Sequence, residues 1–216
     1  MKSFLCILNL GNSKERMAKA RSYPITKIDV ALFTPFMMMQ LRVALERYTY
    51  LMSEFSVFKS RPYNPNDDFV FEYFDYYALN AALKDFTNPI VKEIYFNLLA
   101  HPTSCDPDYL ATDFEKKAKQ KGVIIGHHLS FCSKICHTNN PNIPIYDSRI
   151  QEYLKCVYKI KNSYKDIVDW FYTTDPLIMK DQAELLKWFR TLFPSYSTVS
   201  DIKVLDTMIF VWHRYK

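Results

Sequence analysis

Glycine is nearly missing from this chain: Gly11, Gly122 and Gly126 are the only three in 216 residues. All-β folds and glycine-rich nucleotide folds lean on glycine for turns and close backbone approach, so both are disfavoured. Long apolar runs are missing as well, and no uninterrupted stretch would span a bilayer. The opening MKSFLCILNL faintly resembles a signal peptide, but Asn9 interrupts its short apolar run and no clear cleavage site follows. There is no internal repeat and no low-complexity linker. The five cysteines (Cys6, Cys105, Cys132, Cys136, Cys156) are odd in number and show no Cys-x2-Cys pair. Such a set in a chain this long implies reduced thiols and a cytoplasmic location.

What is present is apolar and aromatic. Hydrophobic residues make up 49% and aromatics 16%, which excludes a disordered chain. The length suffices for one all-α domain over 1–216, built on one large core or on two lobes with a cleft between them. A formal net charge of +5 is mildly basic and compatible with a polyanionic partner.

Helix starts are legible. Thr34-Pro35, Asn88-Pro89, Asp106-Pro107 and Asp175-Pro176 each pair a capping oxygen with a proline at the first helical position. Apolar residues at steps of three and four follow: Met37, Leu41, Ala44, Tyr48, Leu51 and Phe55 in one case, and Ile90, Val91, Ile94, Leu98 and Leu99 in another. Ile202, Leu205, Ile209 and Trp212 repeat the pattern behind Ser200. Further helices are expected near 67–86, 107–120, 126–138, 147–160, 163–173 and 177–192. Residues 1–33 are least clear, with a helix or short strand near Lys27–Leu32. The prediction is an all-α, multi-helix bundle of eight to ten helices joined by short loops. The cluster Phe69, Phe71, Tyr73, Phe74, Tyr76 and Tyr77 reads chiefly as core.

Residues 122–154, GVIIGHHLSFCSKICHTNNPNIPIYDSRIQEYL, have a definite layout. A glycine-bearing turn leads into a helix, then a polar, proline-containing loop, then an aspartate opening another helix. This layout resembles the helix-hairpin-helix DNA glycosylase superfamily, most closely over NPNIPIYDSRIQEYL; the closing SDIKVLDTMIFVWHRYK is similar more loosely. The resemblance implies the superfamily's all-α fold, DNA as partner and Asp147 as the essential carboxylate. The superfamily hairpin is a Leu-Pro-Gly-Val-Gly type turn, whereas here Val123, Ile124 and Ile125 separate the two glycines. The lysine nucleophile of bifunctional members has no counterpart, since His127, His128 and Leu129 stand nearest and Lys134 lies too close to Asp147 in sequence. No four-cysteine cluster pattern follows the last helices. A clusterless, monofunctional type is implied, with no cofactor.

Cleaving an N-glycosidic bond develops positive charge on the sugar, which a carboxylate beneath it stabilises. The partial positive charge of a helix N-terminus favours a carboxylate there. The same facts fit Asp147 as a plain N-cap. Gly122 and Gly126 could present backbone N–H groups to a DNA phosphate, or form an ordinary interhelix turn. Lys117 and Lys121 share a helix face beside that turn, and with His127, His128 and Lys134 they complete the candidate nucleic-acid contacts. Lysines at a helix C-terminus also simply complement its dipole. His128, Cys132 and Cys136 sit four apart on one face, but three ligands on one helix rarely close a tetrahedral site, so no metal is expected. Three functions therefore compete: a glycosylase-like enzyme acting through Asp147, a non-catalytic nucleic-acid-binding module on the same fold, and an α-helical interaction protein.

Overall fold

The computed structural model describes residues 25–79, 84–161 and 163–216. The signal-like opening segment lies outside these residues. Among the described residues there are nine α-helices and no strand. They are α1 (Pro35–Lys59), α2 (Asp68–Tyr76), α3 (Pro89–Ala100), α4 (Pro107–Gln120), α5 (Leu129–Asn139), α6 (Ser148–Tyr158), α7 (Tyr164–Phe171), α8 (Pro176–Leu192) and α9 (Asp201–Tyr215). The all-α bundle read from the sequence is the fold observed.

The caps form as their side chains predict. The Thr34 hydroxyl accepts the Met37 N–H at 3.2 Å, and Asn88 accepts from Ile90 at 2.9 Å. Asp106 accepts from Asp108 and Tyr109, Asp175 from Leu177 and Ile178, and Ser200 from Lys203. Each satisfies an amide that the helix itself leaves orphaned. At α7, Ser163 and Asp166 form a reciprocal capping box.

Three expectations need correction. The helix expected over 67–86 stops at Tyr76; Ala78 then takes a left-handed φ of 51°, and a 3-10 turn occupies Lys84–Thr87. The helix expected from 126 begins at Leu129, because residues 123–128 run without regular structure. Near Lys27–Leu32 there is neither strand nor α-helix, only a 3-10 turn at Val30–Leu32 capped by Asp29. That segment is held by tertiary bonds instead: Trp212 Nε1 donates to Thr26 O at 2.9 Å, and Ile28 N donates to the Tyr153 hydroxyl at 3.3 Å.

The buried side chains fall into two clusters. The first draws on the C-terminal half of α1, on α2, on the Lys84–Thr87 turn and on α3 to α5. The second combines Ile28 and the N-terminal half of α1 with α6 to α9. Helix α1 thus belongs to both, the change falling between Tyr48 and Leu51, and Tyr76 packs against each. Burying one large apolar side chain stabilises by roughly 1.5–3 kcal/mol, so both clusters are substantial. Helix α9 is buried on nearly every side from Ile202 to Ile209. No helix of the described residues is long and apolar enough to cross a membrane.

Candidate functional site at the seam between the two cores

Asp147 sits on this seam because the loop before it is pinned back onto α5. The Asn139 amide nitrogen donates to Leu99 O and Ile135 O, closing the end of α5. The Asn140 side chain accepts from Asn142 N at 3.1 Å, a local turn that asparagine favours. Ile143 O is held by His137 Nδ1 at 2.7 Å, and Tyr146 N donates to the Ser133 hydroxyl at 2.9 Å. The chain then enters α6, where Asp147 Oδ1 accepts the Arg149 N–H at 2.9 Å. Asp147 is half-buried, and among the described residues nothing bonds its second oxygen. Arg149 lays its guanidinium 4.4 Å above the Phe210 ring, on the α9 side.

Lys134, read from sequence as a surface contact, is only 5% exposed. Its Nζ donates to the carbonyl and hydroxyl oxygens of Ser130 at 3.0 and 2.9 Å. No carboxylate lies within ion-pair distance of it among the described residues. Burial lowers its pKa, while the nearby charges of Asp147 and Asp206 act the other way. The Asp147 charge therefore acts on Lys134, although the two are not paired.

Behind them lies a buried polar group that the sequence did not reveal. Lys203 Nζ and Asp206 Oδ2 pair at 2.7 Å inside α9. The Lys203 ammonium faces the rings of Tyr48, Tyr76 and Tyr77 at 5.1, 5.3 and 5.8 Å, so the charge sits among tyrosines of both cores, Tyr48 in the second, Tyr77 against the first and Tyr76 against each. Burial opposes the charge on Lys203, but Asp206 and the tyrosines outweigh it and raise its pKa. His137 is fully enclosed, and burial with the Lys203 charge lowers its pKa to about 3. Its Nδ1 donates to a carbonyl, so Nε2 is the acceptor for the Tyr48 hydroxyl at 3.3 Å. The only sequence signal for this group was an i, i+3 charge pair inside an apolar helix.

The remaining candidates lie on the first core's surface. Gly122, at φ 77°, ends α4: its N–H donates to Lys119 O and the Val123 N–H to Ala118 O. This is a Schellman motif, which satisfies helix carbonyls and occupies both amides. Gly126 is exposed, and between the two glycines Ile124 stands 90% exposed. Lys117 is paired with Asp113, and Lys121 is the exposed C-cap of α4. His127 bonds Glu115 at 2.9 Å and lies 3.5 Å from Asp108, while His128 is buried against Asp85 at 3.1 Å. Cys132 and Cys136 are buried, and burial raises both thiols, Cys136 to about 12. Among the described residues no three metal-binding side chains converge.

A groove of about 350 Å³ opens between the start of α4 and α7, with Asn142, Ile143 and Pro144 of the loop before Asp147 along one wall. Tyr164 at the start of α7 and Tyr172, its C-cap, donate to Pro144 O and Asn142 O and fix that wall. Asp147 does not line the groove. No protein-family model, curated protein or solved structure matches the chain.

Proposed function

We propose that this chain is a DNA glycosylase-like protein that hydrolyses an N-glycosidic bond through Asp147. The observation that carries the reading is the placement of that carboxylate. It opens a helix at the seam of two cores, half-buried, with one oxygen held by the Arg149 amide and the other unbonded among the described residues. An oxygen so presented stabilises positive charge developing at C1′ of an everted nucleotide. The C1′–N bond breaks, water supplies hydroxide to C1′, and the water's other proton goes to the departing base. The adjacent pinning of Ile143 and Tyr146 by His137 and Ser133 supports the positioning that such a step requires.

The test is single-turnover base release from duplexes carrying a panel of modified or mismatched bases. Wild type releases at least one base, and Asp147→Asn lowers that rate by about a hundredfold or more. Full activity in the variant contradicts the mechanism. Lys134 is buried and bonded to Ser130, so it presents no free amine to an abasic sugar. Borohydride trapping is expected to give no adduct, and an adduct would contradict the hydrolytic, lysine-free reading. Should no duplex bind in a salt-dependent way, the interaction-protein reading takes its place.

A further inference from the structure

Away from Asp147, a concavity of about 330 Å³ lies where the C-terminal ends of α1 and α3 meet. Lys59, Arg61 and His101 line it, and no Asp or Glu does. Lys59 bonds a neutral side chain, Asn139 Oδ1, at 3.1 Å, and no carboxylate pairs with it among the described residues. Arg61 is held by Asp67 at 2.7 Å, which fixes its guanidinium at the rim. Tyr63 lines the same space with its ring stacked on Phe96, centroids 5.6 Å apart and planes 16° apart. The acidic groups acting on this space are Asp67, through its pair with Arg61, and Glu93, whose charge acts on Tyr63.

We propose that this concavity binds a phosphate monoester carried on a nucleoside, with the phosphate among Lys59, Arg61 and His101 and the base against Tyr63. The Lys59 charge, which no carboxylate offsets among the described residues, favours an anion in a recess that Arg61 and His101 also line with N–H donors, and a rigid aromatic face offers a stacking platform. The size suits a mononucleotide. The source is either a free nucleotide or the phosphorylated 5′ end of a strand. The competing account is local: Lys59 merely complements the dipole of the α1 C-terminus.

Calorimetry with the full chain tests this using AMP, adenosine, inorganic phosphate, and a short oligonucleotide with and without a 5′-phosphate. The proposal expects AMP to bind at least about tenfold tighter than adenosine or phosphate alone, with Lys59→Gln and His101→Gln each weakening it by about tenfold. Asp147→Asn leaves that binding unchanged. A preference for the 5′-phosphorylated over the 5′-hydroxyl oligonucleotide, exceeding AMP affinity, assigns the strand end; the reverse order assigns the free nucleotide. Equal affinity for AMP and adenosine, or no loss in a folded Lys59→Gln variant, overturns the proposal. Phosphate binding as tight as AMP overturns the stacking half of it.

Discussion

The two cores are built differently. From Leu51 to Cys136 the first is one continuous stretch of chain, dominated by stacked and edge-on rings such as Phe58–Phe69, Phe74–Phe96 and Phe86–Tyr95. Its buried tyrosine hydroxyls find partners inside it, as Tyr95 does with Phe131 O and Tyr73 with Thr138. The second joins residues 28–48 to residues 150–212, so it must close a long loop before its contacts form. It also carries the buried Lys203–Asp206 pair at its boundary with the first. Local sequence builds one core; distant sequence and a buried charge build the other. The candidate carboxylate sits where they meet.

The largest expected effect strikes that boundary. Lys203→Ala leaves Asp206 buried and unpaired, and should destabilise the chain by about 3–5 kcal/mol in denaturant titrations. Replacing both, as Lys203→Met with Asp206→Leu, should recover most of the loss, because the desolvation cost goes with the pair. If Lys203→Ala is neutral, the pair does not join the cores.

Next comes pH. His137 folds neutral with its pKa lowered to about 3, so the unfolded chain binds a proton that the folded chain refuses. Its contribution is constant above the unfolded value of about 6.5. Below that value stability falls by up to about 1.4 kcal/mol per pH unit until the folded value is reached. His137→Gln should flatten the decline between about pH 6 and 5, and an unchanged slope would place the titration elsewhere.

Smaller effects belong to local structure. Ser163→Ala removes the side-chain half of the α7 capping box, leaves the Ser163 N–H on Asp166, and should cost about 1 kcal/mol in the second core, with no effect on the ring packing of the first. Lys159 ends α6 in the left-handed region at φ 58°, a place that usually takes glycine. Lys159→Gly should raise the melting temperature slightly, by the equivalent of at most about 1 kcal/mol, offset in part by loss of the Lys159 bond to Cys156 O.

That last position also explains what the sequence concealed. Helix starts were legible because Thr34, Asn88, Asp106, Asp175 and Ser200 act on amides two or three residues away. Helix ends were less so, since a chain with three glycines stops α6 at Lys159 and leaves α2 through Ala78, neither a usual stop signal. The site was half legible. Asp147 as a helix-opening residue followed from local pattern, but Lys134 and Lys203 look like ordinary surface lysines until tertiary packing buries them. Gly122 pointed to a special backbone conformation, and the structure assigns that conformation to helix termination.

The seam's proposed role rests on Asp147 meeting a positively charged sugar. The most direct measurement compares two duplexes that differ only in an abasic analogue, one with a cationic nitrogen in the sugar ring and one with a neutral ring. The account predicts that wild type prefers the cationic duplex by at least about a hundredfold and that Asp147→Asn erases the preference. Equal affinity for both duplexes, or a preference that survives the substitution, would contradict it.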